Sequence, residues 1–172
     1  MSEILVPPFP LLGEPGTWDA LTLVAATCFL EAQGEPTEGI LGVAWVIRRR
    51  AVEWKAGWHG AILGPEGRAY EDGKPFEPFS CWGDDYRVRA QARLSTASGL
   101  PVAEAHWRAA ASVLWALLPD PVSGASFYLN PAVTKQGRGG TFPAWAADPV
   151  DPTTLNEAKV TARIGRHVFL RG

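Results

Sequence analysis

From Ala20 to Leu30 the chain carries no charge, and the next charged residue is Glu31. An apolar run of this kind, opened by Thr17 or Asp19, predicts a buried helix with a polar start. Its bounds fall at about Thr17–Gln33. Leu21, Ala25, Cys28 and Ala32 form one stripe at helical spacing, with Leu23, Thr27, Leu30 and Glu31 on the neighbouring face. Gly34 suits a left-handed position just past the helix end. Pro36 suits the first turn of a second helix, about Pro36–Val52, with Ile40, Val43, Ala44 and Ile47 as its apolar face.

From Glu53 to Gly83 no period is sustained. A helical turn is expected near His59–Leu63, and otherwise a long loop rich in Gly, Pro and aromatics that ends in Phe79-Ser80-Cys81-Trp82. Loops of that length in compact domains are usually functional or disordered, and the aromatics favour function. A third helix is predicted over Asp84–Ser98, closed by Gly99. A fourth runs from Pro101 to about Leu118, burying Trp107, Ala110, Ala111, Leu114, Trp115 and Leu118. Beyond Pro121, residues 124–130 read as a short strand leading to a turn at Asn130-Pro131. Residues 134–141 read as flexible by composition. The segment Val160–Leu170 reads as a hairpin, with Gly165-Arg166 supplying the first-position glycine of a II′ turn. The fold class expected is mainly α with a small β-hairpin near the C-terminus. Residues 1–16, rich in proline, are expected to form an extended arm, and 17–172 a single catalytic domain.

Composition narrows the classes. The chain has 172 residues, 47% hydrophobic and 20% charged, enough for one real core. A net charge of −2 with no dominant basic stripe argues against nucleic acid as a partner. Arg48-Arg49-Arg50 is read as cations meeting the dipole at a helix end. No apolar run is long enough to span a bilayer. The first residues lack the pattern of a secretory signal, so the protein is expected in the cytoplasm before release. Two cysteines, Cys28 and Cys81, make neither a disulfide framework nor a four-ligand zinc site, and a cytoplasmic chain keeps them reduced. No cofactor or metal is implied, and a monomer is the default.

Glu31 is the residue with the clearest chemical prospect. It sits in the last turn of a greasy helix, where apolar neighbours and the negative end of the dipole both disfavour a carboxylate. Its pKa is therefore expected to be raised, as a general acid for glycosidic cleavage requires. A solvated glutamate at a helix end is the plainer alternative.

Glu31-Ala32-Gln33-Gly34-Glu35 resembles the Glu-Ala-Arg-Gly-Glu signature of the SleB-type cell wall hydrolases, a family of spore-cortex-lytic enzymes and phage lysins. Further blocks follow in order. Phe79-Ser80-Cys81-Trp82 resembles the family's Phe-Ser-x-Trp. Gly124-Ala125-Ser126, Tyr128, Asn130 and Pro131 resemble Gly-Ala-Thr-x-Tyr-x-Asn-Pro. Pro143 and Trp145 resemble a Pro-x-Trp, and Ile164–Phe169 an Ile-Gly-Asn-His-x-Phe close. The resemblance implies a lysozyme-like helical domain acting on the peptidoglycan glycan strand, with Glu31 as the catalytic acid. Relatives act as lytic transglycosylases, a reaction needing one essential carboxyl, whereas hydrolysis commonly uses two.

Candidate second carboxylates are Glu35, Asp84 and Asp85, and Glu35 alternatively caps the second helix. Phe79, Ser80, Trp82, Tyr128, Trp145 and His167 are the further substrate-binding candidates. Trp82 and Trp145 either stack on sugars or fill the core, Tyr128 is placed in the groove or against Glu31, and His167 is read as a structural hydrogen-bonder. The chain departs from the pattern at Gln33 (usually arginine), Arg49 (often asparagine), Phe127 and Leu129 (often histidines) and Leu170 (tyrosine). The leading expectation is glycan-strand cleavage by a phage-type endolysin. The alternatives are a cysteine peptidase cutting stem peptides through Cys28 or Cys81 with His167, and a non-catalytic glycan-binding module.

Overall fold

The computed structural model describes residues 9, 13–67, 78–97 and 101–172, leaving aside the side chains of 84–87, 101 and 102. The arm expected over 1–16 therefore lies largely outside the described residues. Of its described part, Phe9 is buried against Phe29 and stacked on Trp107, and Pro15–Thr17 forms a 3-10 turn.

Helix α1 spans Ala20–Ala32 and is opened by Asp19 rather than Thr17. The Asp19 carboxylate accepts from the Thr22 backbone N–H at 3.0 Å and from the Thr22 hydroxyl at 2.7 Å. These bonds satisfy a donor that the helix cannot, and they hold the Asp19 pKa below its usual value. From Thr22 to Ala32 every residue is buried except Glu31. A helix without a polar face needs neighbours all round. Four surround it: α2 (Thr37–Glu53), α3 (Gly57–Leu63), α4 (Asp84–Ala97) and α5 (Pro101–Leu114). The corner after α1 is made by Gly34 at φ 81°, and Pro36 stands just outside α2 as its N-cap instead of within its first turn.

Two expectations fail at helix ends. Helix α5 stops at Leu114, not Leu118, and Ala116 reverses the chain at φ 53°. Trp107 and Ala110 are buried as expected, but past the reversal the helical period no longer applies, and Trp115 and Leu118 are exposed. Residues read as a turn and a flexible stretch begin instead with a helix, α6 (Pro131–Gly137), whose N-cap Asn130 accepts from the Val133 N–H at 3.4 Å. Asn-Pro is as good a helix start as a turn, because proline loses nothing at the first helical position.

The strands β1 (Phe127–Leu129), β2 (Val160–Ile164) and β3 (His167–Leu170) form a three-stranded antiparallel sheet in the order β1-β3-β2. The β2–β3 hairpin turns at Gly165, whose φ is 57°. The lone strand expected near Tyr128 thus pairs with that hairpin, placing Tyr128 opposite Phe169. Phe169 in turn lies on α2 at Gly42, where an added Cβ would come within 2.7 Å of its ring. A glycine is needed for the sheet to sit this close.

The arginine cluster does more than meet a dipole. Arg48 donates to the Val113 carbonyl, and Arg49 reaches Asp120 at 3.4 Å. Arg50 is buried, donating from Nε to Ser126 O at 2.9 Å and from Nη1 to Pro78 O at 3.2 Å. Its guanidinium also lies over the rings of Trp54, Phe79 and Phe127. One side chain so fastens the end of α2 to β1 and to the segment before Phe79. Among the described residues no helix is long and apolar enough to cross a membrane.

Candidate active-site groove

A groove of about 900 Å³ opens where the end of α1 meets β1, the β2–β3 turn and residues 78–80. Glu31 lies in its wall as the one break in the buried run from Thr22 to Ala32. The Tyr128 hydroxyl donates to Glu31 Oε2 at 2.8 Å. Burial, and then the charge of Glu31, push the Tyr128 phenol well above its usual pKa, so it remains a donor. Burial, followed by the Glu31 charge, raises the Cys81 thiol too. The carboxylate on α1 is therefore held by a side chain from β1, far away in the sequence.

Glu35, four residues on, has a different setting. Its side chain is 1% exposed and is closed off by the hairpin turn. One oxygen accepts from the Arg166 backbone N–H at 2.8 Å and the other from Arg166 Nε at 2.6 Å. Burial pushes its pKa up, but the Arg166 bonds and the charges of His167 and Arg166 outweigh burial and bring it below the usual value. It does not cap α2, which has no side-chain cap. Gly165 is required here, because a Cβ at that position would collide with the Glu35 carboxylate.

His167 is buried beside both glutamates, edge-on to Tyr128 with ring centres 5.0 Å apart. Burial lowers its pKa, against the pull of Glu35 and Glu31. Among the described residues its Nδ1 has no hydrogen-bond partner. Phe79 and Tyr128 line the groove with ring centres 6.2 Å apart, and Ser80 lies exposed in its lining. At another point of the lining Trp145 stacks on Phe127 at 5.0 Å and 28°, and is 37% exposed.

Trp82 does not join them. It is buried in the core, edge-on to Trp18, with its indole N–H donating to Thr27 Oγ1 at 2.9 Å. The 3-10 turn Ser80–Trp82 sends consecutive side chains in different directions, so Phe79 and Ser80 face the groove while Trp82 points inward. The side chains of Asp84 and Asp85 lie outside the described ones.

The cysteines are ill-suited to nucleophilic work. Cys28 is fully buried, and desolvation pushes its thiol far above the usual value. Cys81 is raised for the reasons given, and both are free thiols. Among the described residues no cluster of three His, Cys, Asp or Glu is placed to hold a metal ion.

The groove also contains residues that periodicity did not single out: Trp54, Arg93 and Thr134. Arg93, from α4, donates through Nη2 to Leu30 O and to Gln33 Oε1, both at 3.0 Å. Gln33 stands where the SleB-type signature has arginine, so a guanidinium reaches this end of α1 from another helix. No local signal announces this, since Arg93 is one exposed cation among several on a polar helix.

Comparison with curated proteins and with solved structures gives no match. The profile of one family matches residues 34–170, a span that includes Glu35, Tyr128 and His167 and begins three residues after Glu31. By that match over most of its length, the chain belongs to the Cell Wall Hydrolase family.

Proposed function

We propose that this cell wall hydrolase cuts the glycan strand of peptidoglycan as a lytic transglycosylase, with Glu31 as its one acid and base. The observation that carries the reading is the contrast between the groove's two glutamates. Glu31 faces the groove in the grip of a phenol, while Glu35 is sealed by Arg166. A carboxylate held in an ion pair with almost no exposure is poorly placed to activate water. The two-carboxylate route to hydrolysis then lacks its second member among the described side chains of the groove.

The reaction needs only one. The Glu31 carboxyl gives its proton to the glycosidic oxygen as the bond from muramoyl C1 to that oxygen breaks. The resulting carboxylate takes the proton of the muramoyl 6-hydroxyl as O6 bonds to C1, closing a 1,6-anhydro ring. No water is consumed, and the acid ends in its starting state. Tyr128 holds the carboxylate in orientation through both steps, and its own proton stays in place because its pKa is raised. Phe79, Tyr128, Trp145 and His167 bound the sugars, with Trp145 on Phe127 as the stacking platform.

Mass spectrometry of digested sacculi tests the product. Anhydromuramoyl ends, one water lighter than reducing ends, are expected. Reducing ends alone would replace the lyase with a muramidase, and sacculi bound without any released fragments would leave only a glycan-binding module.

A further inference from the structure

Arg93 is bonded at the open end of α1, to the carbonyl of the residue just before Glu31, and it lines the groove. Both of its hydrogen-bond partners, Leu30 O and Gln33 Oε1, are neutral. Arg166, across the same end of the helix, has its charge met by Glu35 at 2.6 Å. Among the described residues Arg93 makes no such ion pair. The negative end of the α1 dipole accounts for part of its placement, but a helix end offers only about half a charge. A guanidinium has five N–H donors in a planar fork matched to a carboxylate, and among the described residues only Nη2 is engaged.

We propose that Arg93 is a carboxylate anchor at the lip of the groove, binding the acidic branch of a muramoyl residue whose glycosidic bond lies against Glu31. The proposal rests on the glycan-cleaving reading above and names its substrate class: an acid-bearing glycan, in preference to an uncharged N-acetylglucosamine polymer with the same backbone. The acid has two sources in peptidoglycan. One is the lactyl carboxyl, free wherever a stem peptide has been removed. The other is the carboxylates of the stem peptide itself. Both offer the same planar pair of oxygens, and Arg93 here is a binding and specificity residue, leaving the proton transfers to Glu31.

Binding is measured in the E31Q protein, with and without R93Q, against three soluble ligands of equal sugar length. These are peptidoglycan fragments with stem peptides, the same fragments stripped of peptide, and an N-acetylglucosamine oligomer. R93Q should reduce the preference for acidic over neutral ligand by about tenfold or more. Loss confined to the peptide-bearing ligand assigns the carboxylate to the stem, loss confined to the stripped ligand assigns it to the free lactyl group, and loss on both shows that the anchor takes either. An equal weakening of all three overturns the proposal and leaves Arg93 as a brace between α4 and α1. Should R93Q not fold, salt decides: binding of the acidic ligands by E31Q must weaken as salt is added while the neutral one holds, and equal insensitivity overturns the anchor. Wild type and E31Q are assayed beside these for glycan cleavage. An E31Q protein that still cleaves sinks the role of Glu31, while the binding ratios judge Arg93 separately.

Discussion

The two glutamates at the end of α1 are separated by one turn's worth of sequence and share a groove, yet the fold treats them oppositely. Glu31 emerges from the buried helix into the groove and is met by a hydrogen-bond donor that carries no formal charge, Tyr128. Glu35 lies beyond the glycine corner, where the hairpin turn folds over it and Arg166 neutralises it. A carboxylate compensated by a cation is a fastener, and one that lines the groove beside a neutral donor is open to a substrate. What separates them is the partner, not the residue type. Each substitution should therefore damage a different property.

The largest effect expected is E31Q on glycan cleavage. Removing a positioned general acid should lower kcat by about 10²–10⁴-fold, with the thermal midpoint close to wild type, since glutamine still accepts from Tyr128. Turbidity loss of sacculi measures the first and a melting curve the second. E35A should do the reverse. It strands the Arg166 N–H and guanidinium over a buried space, which should cost about 2 kcal/mol, or about 4–8 °C in a chain of this size. G165A attacks the same clamp from the other side and should also destabilise, because it adds a Cβ at a φ of 57° and against the Glu35 carboxylate. An E35A protein that melts normally but cannot cleave would erase the distinction.

Y128F sharpens the contrast on the Glu31 side. It removes one hydrogen bond to a carboxylate while keeping the ring that packs on Phe79 and His167. Cleavage should fall about tenfold. A smaller mark again is expected of C28A, because Cys28 is buried away from the groove. A lysis rate within about twofold of wild type is expected, and a dead C28A would revive the peptidase.

How much of this is legible in the sequence follows from how local each cause is. The uncharged run Ala20–Leu30 fixes a buried helix, and because the run ends at Glu31 the one break in that burial can be located too. The corner at Gly34 and the II′ turn at Gly165 are equally local, each set by a glycine at positive φ. The pairing of Glu35 with Arg166 joins residues far apart in the chain, and neither carries a local sign of the other. Arg50 reads as a helix-end cation because its actual partners, the carbonyls of Pro78 and Ser126, are invisible until the chain is folded. Trp82 and Trp145 are one residue type with two fates. The direction of a 3-10 turn sends one into the core, and the pairing of β1 leaves the other over Phe127. Family blocks mark both as important and cannot say which wall each one faces.

The smallest expected effect tests whether the Glu35 clamp and His167 are one acid-sensitive unit. Burial lowers the His167 pKa below its ordinary 6.5, with Glu35 and Glu31 opposing and Arg166 assisting. The folded protein therefore binds fewer protons at His167 than the unfolded chain does. Its contribution to stability is complete above about pH 6.5 and drains away as the pH falls through the lowered value. Glu35 is also depressed, from 4.5. Its contribution is intact above that value and is lost only in the more acidic range below it. Two separate windows of acid destabilisation follow. Melting curves from pH 8 to pH 3 should show wild type losing stability in both, H167Q losing it mainly in the lower one, and E35A mainly in the upper. Charging His167 before Glu35 is protonated also places a cation beside that carboxylate, so the upper loss is partly offset while Glu35 remains ionised. E35A should accordingly lose more stability between pH 7 and pH 5 than wild type does. If E35A loses no more than wild type between pH 7 and pH 5, the ring and the clamp do not sense each other, and if both variants track wild type across the whole range, neither group governs the acid response.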